Sequence, residues 1–190
     1  MVCRDVEHIA TKKIHVQKVL KFLRIFLFVV IKRMNFLFLC TGNSCRSILS
    51  EALFNARAPE GFSACSAGSQ PSGKVHPLSL RTLQSLNIST DNLWSKNMQD
   101  CEKFKPQIVV TVCSSAAVEP CPLYLGNAIK VYWGLEDPSH LECADEEKMQ
   151  AFKQTVEHIQ RRFDAFFALA LDHLSQEELI SELHKIGQID

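Results

Sequence analysis

Residues 35–47 read NFLFLCTGNSCRS. Four apolar residues, Phe36, Leu37, Phe38 and Leu39, run without a polar break into a loop of small and polar residues. A strand with one wet face would alternate. A continuous run of this length suits a strand buried on both faces, which is the habit of parallel sheets. Such sheets need a helix between successive strands. The stretch SILSEALFNARA supplies one, with Ile48, Leu49, Ala52 and Leu53 at helical spacing and Pro59 and Gly61 just beyond its end.

The alternation continues along the chain. FSACSAG (62–68) reads as a second strand, stopped by Pro71 and Gly73, and HPLSLRTLQSL (76–86) as a helix with Pro77 near its first turn. QIVVTVC (107–113) is rich in β-branched residues, and AIKVYW (128–133) reads as a fourth strand. A long helix is expected over 145–171, with Asp145, Glu146 and Glu147 in its first turn, where they favour the dipole. SQEELISELHKI (175–186) adds an amphipathic helix, with Ser175 and Glu178 at capping-box spacing. The expectation is an α/β fold, a doubly wound four-stranded parallel sheet covered on both faces.

At 190 residues, one domain is the natural unit. The boundaries expected are an N-terminal basic and apolar extension over 1–33, a domain over 34–173 and the C-terminal amphipathic helix over 174–190. The apolar run from Ile25 to Ile31 is far shorter than the roughly 20 residues that span a bilayer. Lys32, Arg33 and Met34 after it do not resemble a cleavage site. The expectation is that the domain starts at Met34 and that the extension contributes nothing to activity, with no transmembrane segment. Lysine and arginine together number 21, as do aspartate and glutamate, so bulk charge gives no support to a nucleic-acid partner. The eight cysteines form neither a compact secreted framework nor a zinc-spaced cluster. A reduced cytoplasmic protein with a few working thiols is expected. Cys3, Cys65, Cys101 and Cys143 read as small buried hydrophobes.

Ligands of doubly wound sheets bind at the carboxyl ends of strands. Cys40 sits at such an end, and a helix begins just after it. The first N–H groups of that helix have no partner within it, and its dipole adds positive charge, so the loop suits an anion. Gly42, with the small Thr41 and Ser44, allows close backbone approach. Arg46 can fork two donors onto a tetrahedral oxyanion. The same field is expected to lower the pKa of Cys40 and make it a nucleophile, with Ser47 donating to the thiolate.

CTGNSCRS resembles the CxGNxCRS loop of the low-molecular-weight protein tyrosine phosphatase superfamily, which includes the thiol-dependent arsenate reductases. The resemblance covers roughly Met34 to Leu171 and takes in SAGSQPSGKVHP and the pair Ser95–Lys96. It implies the low-molecular-weight phosphatase-like sheet, Cys40 as nucleophile, Arg46 as oxyanion clamp, and Asn43 as the residue that shapes the loop. Residues 41–47, Cys45 among them, would surround the substrate. Cys45 would either pair with Cys40 as a protective disulfide or be a spectator.

Two later stretches separate phosphatase from reductase. In VYWGLEDPSH, Asp137 follows the last strand. On its own an Asp-Pro pair is a turn initiator; the resemblance implies a general acid for the leaving oxygen. Phosphatases of the superfamily typically follow this aspartate with tyrosines, whereas Ser139 and His140 follow it here. Trp133–Gly134 is similar to the arsenate reductases. In TVCSSAAVEPCPL, Cys113 ends the third strand and so opens onto the same end of the sheet as Cys40, with Cys121 eight positions on. A phosphatase needs neither thiol; a reductase needs both, as a relay that moves a disulfide outward. The alternative is two buried cysteines flanking a loop. The relay expects the segment 114–120 to be mobile.

The expected activity is therefore reduction of arsenate to arsenite, for detoxification, with an external thiol reductant, thioredoxin or glutathione with glutaredoxin, and no bound cofactor. Some related reductases hold potassium with an aspartate that aligns near Lys96, where an ammonium makes a bound cation unnecessary, so no metal is expected. A tyrosine phosphatase and a non-catalytic anion or redox sensor are the other readings. Asp137 argues against the sensor, which needs no leaving-group acid.

Overall fold

Four parallel strands pair in the order β2-β1-β3-β4 in the computed structural model: β1 (Met34–Cys40), β2 (Phe62–Gly68), β3 (Ile108–Thr111) and β4 (Ile129–Tyr132). The structure describes residues 33–113, 125–142 and 144–190, within the compact unit Arg33–Asp190. Cys3, Cys121 and Cys143, and the segment 114–120, lie outside the described residues. Helix α1 (Arg46–Arg57) joins β1 to β2, and α2 (Pro77–Ser85) follows β2. The long helix α3 (Asp145–Phe167) and α4 (Gln176–Ile186) complete the unit.

Successive residues of a strand face opposite sides. Phe36, Phe38 and Cys40 therefore face one layer, and Leu37 and Leu39 the other. The two layers are unequal. The first holds α1, α3 and α4 around a phenylalanine cluster in which Phe54 meets Phe36 at 4.6 Å and Phe163 at 5.3 Å between ring centroids. The second is covered among the described residues by a 3₁₀ segment, Gln99–Phe104, with Cys101 and Leu125 against Leu37, Leu39 and Val109. Phe54 is fully buried. Phe54→Ala should destabilise the protein by about 3–5 kcal/mol, since it removes a buried ring and leaves a cavity. Urea unfolding measures it, and a loss below about 1 kcal/mol would show that this cluster does not hold α1 to α3.

The capping box expected at Ser175 and Glu178 is present, with both reciprocal hydrogen bonds made. The long helix stops at Phe167 rather than Leu171, and residues Leu171–His173 form a separate 3₁₀ turn. Trp133 is a core residue: its indole N–H donates to the Leu183 carbonyl at 2.8 Å and so ties α4 to the end of β4. No helix among the described residues is long and apolar enough to cross a membrane.

One cysteine expectation is corrected. Cys65 and Cys101 are not merely apolar filling; they form a disulfide, with Cα atoms 6.8 Å apart. Cys65 lies on the edge strand β2, and the 3₁₀ segment folds over its smaller-layer face. A separation of 36 residues left no trace of this pairing in the sequence.

Candidate active site

The loop 41–45 is shaped by where its carbonyls go. Those of Cys40, Thr41, Gly42 and Ser44 accept from the N–H groups of Ser69, Gln70, Ser72 and His76 at 2.9–3.1 Å. In a trans peptide the N–H of the next residue points opposite to the carbonyl. Tying the carbonyls outward therefore turns the loop's N–H groups inward, and the Asn43 N–H does donate to Cys40 Sγ at 3.1 Å. The SAGSQPSGKVHP stretch is thus the outer wall of the loop. Gly68 belongs to it for a steric reason: a Cβ there would meet the Thr41 carbonyl oxygen at 2.5 Å. Gly42 differs from expectation, since a Cβ there would meet nothing within 4 Å.

Asn43 takes a left-handed backbone, φ 43°, which asparagine tolerates better than most residues. It is fully buried, and all of its amide is used: Nδ2 donates to Ser47 Oγ at 2.9 Å and to Ser66 Oγ at 2.8 Å, while Oδ1 accepts from the Lys96 N–H at 2.6 Å.

Cys40, Thr41, Gly42, Asn43, Ser44, Cys45 and Arg46 line one cavity of about 350 Å³, together with Asp137, Ser139 and His140 from the loop after β4. Ser47 lies buried behind them, its hydroxyl 2.9 Å from Cys40 Sγ. A wider groove of about 850 Å³ lies beyond Asp137, but no cysteine lines it, so the chemistry belongs to the smaller cavity. Cys113 follows β3 and is buried, with its sulfur 3.5 Å from Thr41 Oγ1. Leu39 pairs with Thr111, so Cys40 and Cys113 leave the sheet at the same end, and charge on Cys113 bears on Cys40. Cys121 lies outside the described residues. Among the described residues no group of three or more histidine, cysteine, aspartate or glutamate side chains is placed to hold a metal.

Two electrostatic expectations change. Cys40 is only 4% exposed, and burial pushes its thiol above the ordinary value; the Ser47 hydroxyl and the Asn43 and Ser47 N–H groups pull it down without reversing that. Desolvation outweighs the donors in the resting loop. Burial raises Cys45 also, with the Asp137 carboxylate adding to it. Ser47→Ala should slow alkylation of Cys40 by iodoacetamide roughly 10–100-fold at neutral pH, because a hydrogen bond to a charged partner contributes about 1.5–3 kcal/mol. Unchanged alkylation would mean that the serine donates nothing to the sulfur.

Arg46 does not fork over the loop. Its Nη1 donates to the Leu135 carbonyl at 3.0 Å and its Nη2 pairs with Asp137 Oδ2. Burial raises the Asp137 carboxyl, but the Ser139 hydroxyl and N–H, Arg46 and His140 together outweigh it and hold the group below its ordinary value. Asp137 is also a turn cap, since Oδ1 accepts from the Ser139 N–H at 3.0 Å. The turn reading of the Asp-Pro pair thus holds at Oδ1, while Oδ2 pairs with Arg46.

The sequence model of the family described as "low molecular weight phosphotyrosine protein phosphatase" matches residues 35–179. The chain belongs to that family. It is 33% identical over 129 residues to an arsenate reductase of Halalkalibacterium halodurans, covering 68% of this chain and 91% of that one. Its fold resembles an arginine phosphatase of Geobacillus stearothermophilus, with TM-score 0.57 and 20% identity, covering 75% of this chain and 99% of that one. It also resembles a thioredoxin-dependent arsenate reductase of Corynebacterium glutamicum, with TM-score 0.53 and 24% identity, covering 85% and 73%. One sheet thus carries both chemistries among the relatives, and the fold alone does not choose between them. Ser66 and Glu51 were not singled out from the sequence, and Ser139 and His140 only as the residues that stand where the phosphatases carry tyrosines. Only their position in the folded chain brings them to the loop.

Proposed function

We propose that the protein is an arsenate reductase, with Cys40 as nucleophile and a relay through Cys113 and Cys121. The observation that carries this reading is the position of Cys113, buried beyond β3 beside Thr41, where a phosphatase has no use for a second thiol. The similarity to a curated arsenate reductase over most of that protein's length supports it.

Cys40 gives its proton to bound arsenate and its sulfur attacks arsenic. One As–O bond breaks, and the oxygen leaves as water with a proton from Asp137. A Cys113 thiolate then attacks Cys40 Sγ. The S–As electron pair stays on arsenic, which falls from As(V) to As(III) and departs as arsenite. Cys121 attacks Cys113, frees Cys40 and leaves a Cys113–Cys121 disulfide. An external dithiol, thioredoxin or glutaredoxin with glutathione, returns the two electrons. The thioredoxin-dependent neighbour favours the first. This reading needs a compartment that keeps such a reductant reduced, which favours the cytoplasm.

Incubation with arsenate and a thioredoxin system should release arsenite in proportion to reductant consumed, while an aryl phosphate should turn over feebly. Rapid ester cleavage without arsenite would place the chain with the phosphatases, and a single stoichiometric response would make it a sensor. Peptide mapping of Cys121→Ser after arsenate should find Cys40 joined to Cys113. A Cys40–Cys45 disulfide there would show that the second thiol is assigned wrongly.

A further inference from the structure

Two cysteines stand apart from the chemistry at Cys40. Cys65 pairs with Leu37 in the sheet and faces the smaller layer, on the opposite side from Phe38 and Cys40. Its disulfide to Cys101 joins the edge strand β2 to the 3₁₀ segment Gln99–Phe104. That layer is thin: its buried apolar set among the described residues is Leu37, Leu39, Ala67, Cys101, Val109 and Leu125. The lead-in to the segment is fastened to β2 by the Gly68 N–H, which donates to the Lys96 carbonyl at 2.8 Å. Ser95 Oγ fastens it to the nucleophile loop, 3.2 Å from the Gly42 carbonyl oxygen. A covalent staple across so small a layer carries much of what keeps it closed. The two sulfurs are not equally open. Cys101 is fully buried, whereas Cys65 is partly exposed at the sheet edge. Thiol exchange proceeds by attack on one sulfur, and access selects which. Beside a dithiol reductant that is kept reduced, such a disulfide is a bond in exchange and not a fixed link.

We propose that Cys65–Cys101 is a second site of thiol–disulfide exchange, separate from the relay at Cys40, which takes a dithiol reductant at Cys65 and fastens or frees the smaller layer with the redox state of that dithiol. A thiolate of the dithiol attacks Cys65 Sγ. The S–S bond breaks, and Cys101 leaves with the bonding pair and takes up a proton. The second thiol of the reagent then attacks its own partner sulfur in the mixed disulfide and frees Cys65. Two electrons and two protons pass to the protein, and an oxidised dithiol closes the staple by the reverse steps. With the staple open, the segment Gln99–Phe104 keeps few apolar contacts, and units of that kind open first. The proposal rests on the proposed function only in taking from it a dithiol reductant as the protein's working partner.

A series of dithiothreitol redox buffers, without arsenate, tests it. Samples are quenched in acid, unfolded, alkylated with iodoacetamide and mapped by mass spectrometry, which assigns each cysteine pair. Cys65 and Cys101 should pass together from a disulfide to two alkylated thiols while circular dichroism shows the protein still folded. Across the same series the midpoint of thermal unfolding should fall by about 5–10 °C. Amide hydrogen exchange over residues 95–104 should quicken roughly tenfold or more. Cys65→Ala keeps the other thiols, so it should lack this part of the thermal shift. A bond that never forms in the oxidising buffers, or that yields only when the protein unfolds, overturns the proposal. So does a thermal shift in the parent no larger than that in Cys65→Ala. Should Cys65→Ala fail to fold, the mapping and exchange of the parent decide alone. Absence of arsenate turnover in the parent protein would sink the functional reading yet leave this titration measurable.

Discussion

Cys40→Ser should abolish both arsenite release and any aryl phosphate cleavage, whereas Cys113→Ser should abolish only the first. The difference follows from electron count. Ester cleavage needs a nucleophile, a ring of donors and an acid; it consumes no electrons. Cys113→Ser leaves Cys40 under its Ser47 and Asn43 donors, with Asp137 in the same cavity. Arsenate reduction needs a second sulfur to attack the first, and a serine oxygen cannot form that bond. Cys113→Ser should therefore accept arsenate at Cys40 and go no further, with arsenite below detection, while ester cleavage stays within a few-fold of the parent. Quantifying arsenite and aryl alcohol for the same preparations separates the two outcomes. Undiminished arsenite release by Cys113→Ser would remove the relay from the proposal, since no other described thiol is offered to Cys40 from β3.

The parts that were legible in the sequence are those in which a local rule and the global fold agree. The apolar run before Cys40 dictates a doubly buried strand, and β1 lies between β2 and β3. Ser175 and Glu178 announce their own cap. Cys40 and Arg46 bracket a loop whose chemistry follows from the strand and helix on either side of it. What was not legible depends on distant pairings. Arg46 finds Asp137, 91 positions away, and Lys96 finds Glu51, 45 positions away. Neither pairing leaves a periodic signal. The direction of the Cys40 shift was also out of reach, because it is a balance of burial against three donors, and burial is a property of the closed fold. Trp133 was read as a family mark. Its indole is a structural tie to α4, which no reading of its neighbours reveals.

Asp137→Asn should lower arsenate turnover by about 10²–10⁴, the usual worth of a positioned general acid. The substitution is selective. An asparagine oxygen can still cap the Ser139 N–H, so the turn survives and the ability to give a proton is lost. In the resting protein Asp137 is a carboxylate over the neutral range, paired with Arg46. A bound oxyanion competes for that guanidinium, because a bidentate fork suits two of its oxygens. Drawing Arg46 onto the oxyanion takes away a cation that holds Asp137 low and sets a negative charge beside it. Both changes favour the protonated acid that the first step requires. Turnover should therefore fall as pH rises past the Asp137 pKa in the complex, and Asp137→Asn should lack that limb. Stability has the opposite sense. A carboxyl held below its unfolded value contributes stability at higher pH, and that contribution is lost as pH falls through the folded value. The parent should lose this part of its stability below about pH 4, while Asp137→Asn should not. Parent-like turnover in Asp137→Asn would reduce Asp137 to the turn cap that an Asp-Pro pair is on its own.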